Sequence, residues 1–79
     1  MSNLNRQILI NTLIKHETLT IDDLGKEENL GMVPDKGQFK FLVHELIKSG
    51  HFSILNGVVP CTYTITEKGI KEGTKLNSE

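Results

Sequence analysis

The sequence predicts an α+β domain, mainly α, in which three helices precede a C-terminal β-hairpin. Three observations carry this. Phe39, Leu42, Val43, Leu46 and Ile47 recur at i, i+3, i+4, i+7 and i+8, the spacing of a helix with one apolar face. After Gly50 the helical period ends, and His51-Phe52-Ser53-Ile54-Leu55 has strand character. Asn56-Gly57 follows, the residue pair that two-residue hairpin turns favour because both positions need positive φ.

The elements follow in order. Residues 4–15 predict a first helix, with Ile8, Leu9, Ile10, Leu13 and Ile14 on an apolar face broad enough to seat a partner chain as well as the core. Glu17-Thr18-Leu19-Thr20 supplies a short extended piece. Thr20 is an N-cap for a second helix from Ile21 to about Asn29, because its hydroxyl accepts from a first-turn N–H and Asp22 and Asp23 sit at the positive end of the dipole. Ile21, Leu24 and Leu30 point inward, and Gly25 weakens this helix. Asp35 caps the third, with Gln38 at the capping-box position and Gly50 as its stop. The second hairpin strand is expected over Val58–Ile65, with Tyr63 and Ile65 on one face and Thr62 and Thr64 on the other. Pro60 donates no ladder hydrogen bond, which predicts an edge strand or a bulge. A short helix begins near Thr66. The expected ordered core of this single domain is about 4–71, with a frayed polar tail over 72–79.

At 79 residues and 37% hydrophobic content, the chain has enough apolar material for one small core. No run of about 18 apolar residues exists to cross a membrane, and no leader is expected at the N-terminus. The single cysteine, Cys61, excludes an internal disulfide framework and suits a reducing cytoplasm; beside Pro60 it is expected as a small buried hydrophobe. The net charge of −1 does not itself suggest a nucleic-acid partner. Its distribution is uneven: residues 1–35 carry three basic and six acidic side chains, whereas residues 36–79 carry six lysines and four glutamates. The positive half is the half holding the third helix and the hairpin.

Two motifs narrow the fold. Leu42-Val43-His44-Glu45-Leu46-Ile47-Lys48-Ser49-Gly50-His51-Phe52 resembles the exit from the recognition helix of winged helix-turn-helix domains. Tyr63-Thr64-Ile65-Thr66-Glu67-Lys68-Gly69 resembles the end of the wing in small prokaryotic transcriptional regulators of that superfamily. The resemblance covers about residues 5–71. It implies a winged helix, with a three-helix core and a C-terminal hairpin wing. It also implies duplex DNA as partner, with the outer face of the third helix (about 35–49) in the major groove and the wing near the backbone. On that reading Lys36 and Lys40 contact phosphate or guanine, Gln38 pairs with adenine, and His44 shares the face. Gly37 permits close approach, and Lys68 and Lys71 beside the wing add phosphate contacts. A homodimer through the first helix is the expected assembly.

Two features depart from that pattern. The wing tip, Leu55-Asn56-Gly57-Val58-Val59, is apolar, and the third helix carries no arginine for a bidentate guanine contact. They open an alternative, a protein-interaction module whose surface is Phe41, Leu55, Val58 and Val59. Each candidate also has a plain structural reading: Lys36 and Lys40 as solvated charges, Gln38 as a capping residue, Phe41 as packed beneath the wing. His44 and His51 have no cysteine or carboxylate at ligand spacing, so no metal is expected. No phosphate loop or nucleophile–base pair can be read, so neither a cofactor nor catalysis is expected.

Overall fold

The computed structural model describes residues 4–55, 57 and 61–77. Among the described residues the elements are, in order, α1 Arg6–His16, β1 Thr18–Thr20, α2 Ile21–Leu24, α3 Glu27–Leu30, α4 Lys36–Lys48, β2 Phe52–Ile54, β3 Thr62–Ile65 and α5 Glu67–Asn77. The strands form one antiparallel sheet in the order β1-β3-β2. This is the winged-helix architecture, with β1 added to the hairpin.

Local capping sets the helix starts. The Asn5 side chain accepts from the Ile8 N–H at 3.0 Å, Thr20 Oγ1 from the Asp23 N–H at 3.1 Å, and Asp35 Oδ2 from the Gln38 N–H at 2.9 Å. Gly50, at φ 87°, turns the chain out of α4, and the His51 N–H returns to the Leu46 carbonyl at 2.9 Å. At the α1 exit a non-glycine residue takes positive φ: Glu17, at 68°. It is held from both sides. Its N–H donates to the Leu13 carbonyl at 2.7 Å, and its carbonyl accepts from the Ile65 N–H at 3.2 Å.

The core lies between α1, α4 and the sheet. Leu9, Ile10, Leu13 and Leu24 are fully buried, with Phe39, Val43 and Leu46 from α4 and Phe52 and Tyr63 from the sheet around them. Alternation on β3 buries Tyr63, while Thr62 and Thr64 remain half-buried on the other side.

Five expectations need correction. The helix expected over Ile21–Asn29 is two short helices, broken at Gly25-Lys26. On one continuous helix Leu30 would lie about 180° from Ile21. The extended backbone at Lys26 re-aims it into the core, where it is buried. Gly25 there lies close against Phe39, with a would-be Cβ 3.3 Å from Phe39 Cζ.

The hairpin register is the second. Ile54 pairs with Tyr63 and Phe52 with Ile65. A two-residue turn at Asn56-Gly57 would pair Ile54 with Val59 instead, so the connection is longer than the sequence suggests. Asn56, Val58, Val59 and Pro60 fall outside the described residues. Gly57 does take positive φ, at 78°.

Third, β3 starts at Thr62, after the proline, and is the central strand of the sheet.

Fourth, Cys61 is exposed. It lies just past the last ladder pair, Thr20↔Thr62, where the core ends.

Fifth, the C-terminal segment is helical to Asn77, beyond residue 72 where the sequence predicts fraying. This α5 lies along α1. A Cβ at Gly73 would collide with Ile14 Cδ1 and Ile10 Cγ2, and one at Gly69 with the His51 carbonyl. Part of the apolar breadth of α1, at Ile10 and Ile14, is thus covered by α5 of the same chain.

Candidate nucleic-acid interface

α4 is anchored on one side and open on the other. Phe39, Val43 and Leu46 fix its rotation by sinking into the core. Turning 100° per residue from those three positions, the opposite face passes through Lys40, His44, Gly37, Lys48, Phe41, Glu45 and Gln38. All seven are exposed, as is Lys36 at the first turn. Lys36, Lys40 and His44 therefore follow one another along one side of this exposed surface, while Gln38 lies on its other flank, about 160° around the axis from Lys36 and Lys40.

The charges on that surface are ordered. Lys36, Lys40, His44 and Lys48 follow at i, i+4, i+8 and i+12, so they form one row along the helix. Among the described residues, none of the three ammonium groups has a carboxylate partner. Lys48 was not among the sequence candidates. Its place in the last turn, where it complements the helix dipole, hides the fact that it also completes a four-residue spacing. The neighbouring row is Gly37, Phe41 and Glu45, which carries no cation.

Lys68 stands elsewhere. It lies in the first turn of α5, and its Nζ donates to the Ser49 carbonyl at 2.7 Å, at the C-terminal end of α4. This is about 18 Å along the helix from Lys36. The ammonium caps a carbonyl there and adds positive charge beside Lys48. Lys71 is exposed one turn further along α5.

A shallow groove of about 330 Å³ runs between α4 and the sheet, from Lys40 and His44 to Ile54 and Tyr63. Burial pushes the Tyr63 phenol up to about 12, with the hydrogen bond to the Cys61 sulfur and that sulfur's charge acting the same way. Tyr63 is therefore a neutral hydroxyl at physiological pH. On the acidic side of the domain, Lys26 pairs with Asp23 at 3.0 Å, lowering the Asp23 carboxyl and raising the Lys26 ammonium from their usual values.

The alternative surface is only partly assembled. Phe41 is 62% exposed and does not pack beneath the wing, and Leu55 is 37% exposed on the hairpin. Val58 and Val59 lie outside the described residues. His44 and His51 are separated: His44 is on the open face of α4, while His51 is buried.

No protein-family model matches this chain, and neither does any curated protein. Solved structures do. F93 from STIV, described as a winged-helix DNA-binding protein, superposes with a TM-score of 0.80 at 20% identity, over 96% of this chain and 89% of that one. SSV1 F-93 superposes with a TM-score of 0.69 at 18% identity, over 99% of this chain and 92% of that one. At these identities the likeness is one of fold.

Proposed function

We propose that this chain is a DNA-binding winged-helix protein acting in transcriptional regulation in the cytoplasm. In this reading α4 enters the major groove and the β2–β3 wing lies along the backbone. The observation that carries it is the row Lys36–Lys40–His44–Lys48, whose three ammonium groups have no carboxylate partner among the described residues, on a helix whose rotation the core fixes. A structural neighbour described as a winged-helix DNA-binding protein supports the assignment.

The roles divide by chemistry. Lys36, Lys40 and Lys48 contact phosphates as point charges, since a lysine lacks the fork that makes arginine a bidentate base reader. Lys68 and Lys71 add to the positive field at the far end of the helix. Gln38 has its backbone N–H on the Asp35 cap and its amide in solvent, where it is able to pair with adenine. His44 lies between Lys40 and Lys48 on the row, where its exposed imidazole can hydrogen-bond a phosphate oxygen or a base edge.

Fluorescence anisotropy with a labelled mixed-sequence duplex tests this. Affinity is expected to fall steeply with added salt, and Lys36→Ala with Lys40→Ala to flatten the log K against log salt slope by about 2. Absence of binding at low salt overturns the reading.

A further inference from the structure

The α4 surface includes one side chain that phosphate contact does not explain. Phe41 is 62% exposed, whereas Phe39, two residues earlier, is 7% exposed. Measured against the buried trio Phe39, Val43 and Leu46, Phe41 points within about 20° of straight outward. It is thus, with Lys48, one of the two side chains of α4 that point most nearly straight out.

Its surroundings define the partner. The residues one turn away on either side are Gly37, Gln38, His44 and Glu45. None carries an apolar side chain, so α4 itself gives Phe41 no apolar neighbour with which to form the contiguous patch that a protein partner covers. Gly37 leaves open space beside it: a would-be Cβ there meets only Asp35 Oδ2, at 3.5 Å. The row Lys36–Lys40–His44–Lys48 runs along its flank. A lone aromatic flanked by cations fits a polyanion that presents an apolar group between its charges. In the major groove that group is the thymine 5-methyl, which aromatic side chains contact directly. The two rows sort accordingly. The cationic row faces phosphates, while Gly37, Phe41 and Glu45 face base edges, where a carboxylate accepts from the cytosine amino group instead of repelling phosphate.

We propose that Phe41 reads the 5-methyl group of thymine and so determines a preference for A·T pairs at the centre of the site. This rests on the DNA-binding reading above and adds the residue and the chemical group that set specificity.

The test compares duplexes that differ by that methyl group alone. Binding to poly(dA-dT) is measured against poly(dA-dU), and poly(dG-dC) against the same polymer carrying 5-methylcytosine, which restores a methyl at the equivalent groove position. The wild-type chain is expected to favour the methylated member of each pair by about fourfold per methyl contacted. Phe41→Ala, an exposed substitution checked by circular dichroism, is expected to bring both ratios to one. Lys36→Ala with Lys40→Ala lowers affinity for both members equally. Equal wild-type binding to poly(dA-dT) and poly(dA-dU) overturns the inference while leaving DNA binding intact, and so does a methyl preference that survives Phe41→Ala. Failure to bind any of the four polymers at low salt overturns the DNA reading itself.

Discussion

Arg6, in the first turn of α1, is ion-paired with Glu72 in α5, and the pair closes over the buried ring of His51. The Ser49 hydroxyl lies 3.2 Å from the Leu46 carbonyl and 2.6 Å from His51 Nδ1. Nε2 faces Arg6 at 3.3 Å and Glu72 Oε1 at 3.2 Å. One small network thereby ties the end of α4 to both terminal helices. Glu72→Ala removes an ion pair that is partly in solvent and a partner of a buried imidazole. We expect a loss of about 1 kcal/mol in chemical denaturation. An unchanged midpoint would show that α5 docks through its apolar contacts alone.

The α1–α5 contact makes a second prediction. Gly73 lets α5 approach Ile10 and Ile14 more closely than any side chain allows. Gly73→Ala gains helix propensity of about 1 kcal/mol but forces both isoleucines aside, an overpacking cost of about 1–3 kcal/mol. Net destabilisation is expected. Gly73→Leu cannot be accommodated without lifting α5, and should expose α1 to hydrogen exchange. Retention of wild-type protection in Gly73→Leu would refute this packing.

Tyr63 is the chain's single tyrosine, so its ionisation can be followed at 295 nm without overlap from another phenol. Folded, its pKa is raised from 10.0 to about 12. The folded state then holds a proton that the unfolded chain releases near pH 10. Its contribution to stability is complete below pH 10 and is lost as pH rises through 12. A titration midpoint near 12, falling on Cys61→Ala, is the expected outcome. A midpoint near 10 in folded protein would mean that the phenol is solvated.

What the residues disclosed without coordinates was chiefly local. α4 could be placed because cap, period and stop (Asp35, the Phe39–Ile47 stripe and Gly50) lie within one stretch of chain. Thr20 and its cap were legible for the same reason. The start of α5 near Thr66 was legible too, but its run to Asn77 was not, because what holds it, Gly73 against Ile14 and Ile10 and Gly69 against the His51 carbonyl, is a long-range contact. The turn at Asn56-Gly57 misled because register is set by the Phe52–Ile54 ladder with β3 and by β3's second ladder with β1, a long-range pairing no dipeptide encodes. At the candidate site the spacing of Lys36, Lys40 and His44 sufficed to put them on one face. Lys48 and Phe41 needed the helix's rotation in the core, since one had a dipole role already and the other only a position off the apolar stripe.

The central claim is that α4 presents its Lys36–Lys48 face to duplex DNA. A two-dimensional amide NMR titration of labelled protein with a mixed-sequence duplex at low salt tests it most directly. The account predicts the largest shifts at residues 36–48, with Lys40, Phe41 and His44 foremost, and little change along α1. Shifts confined to α1 and α5, or no shifts at a saturating excess of duplex, would contradict it.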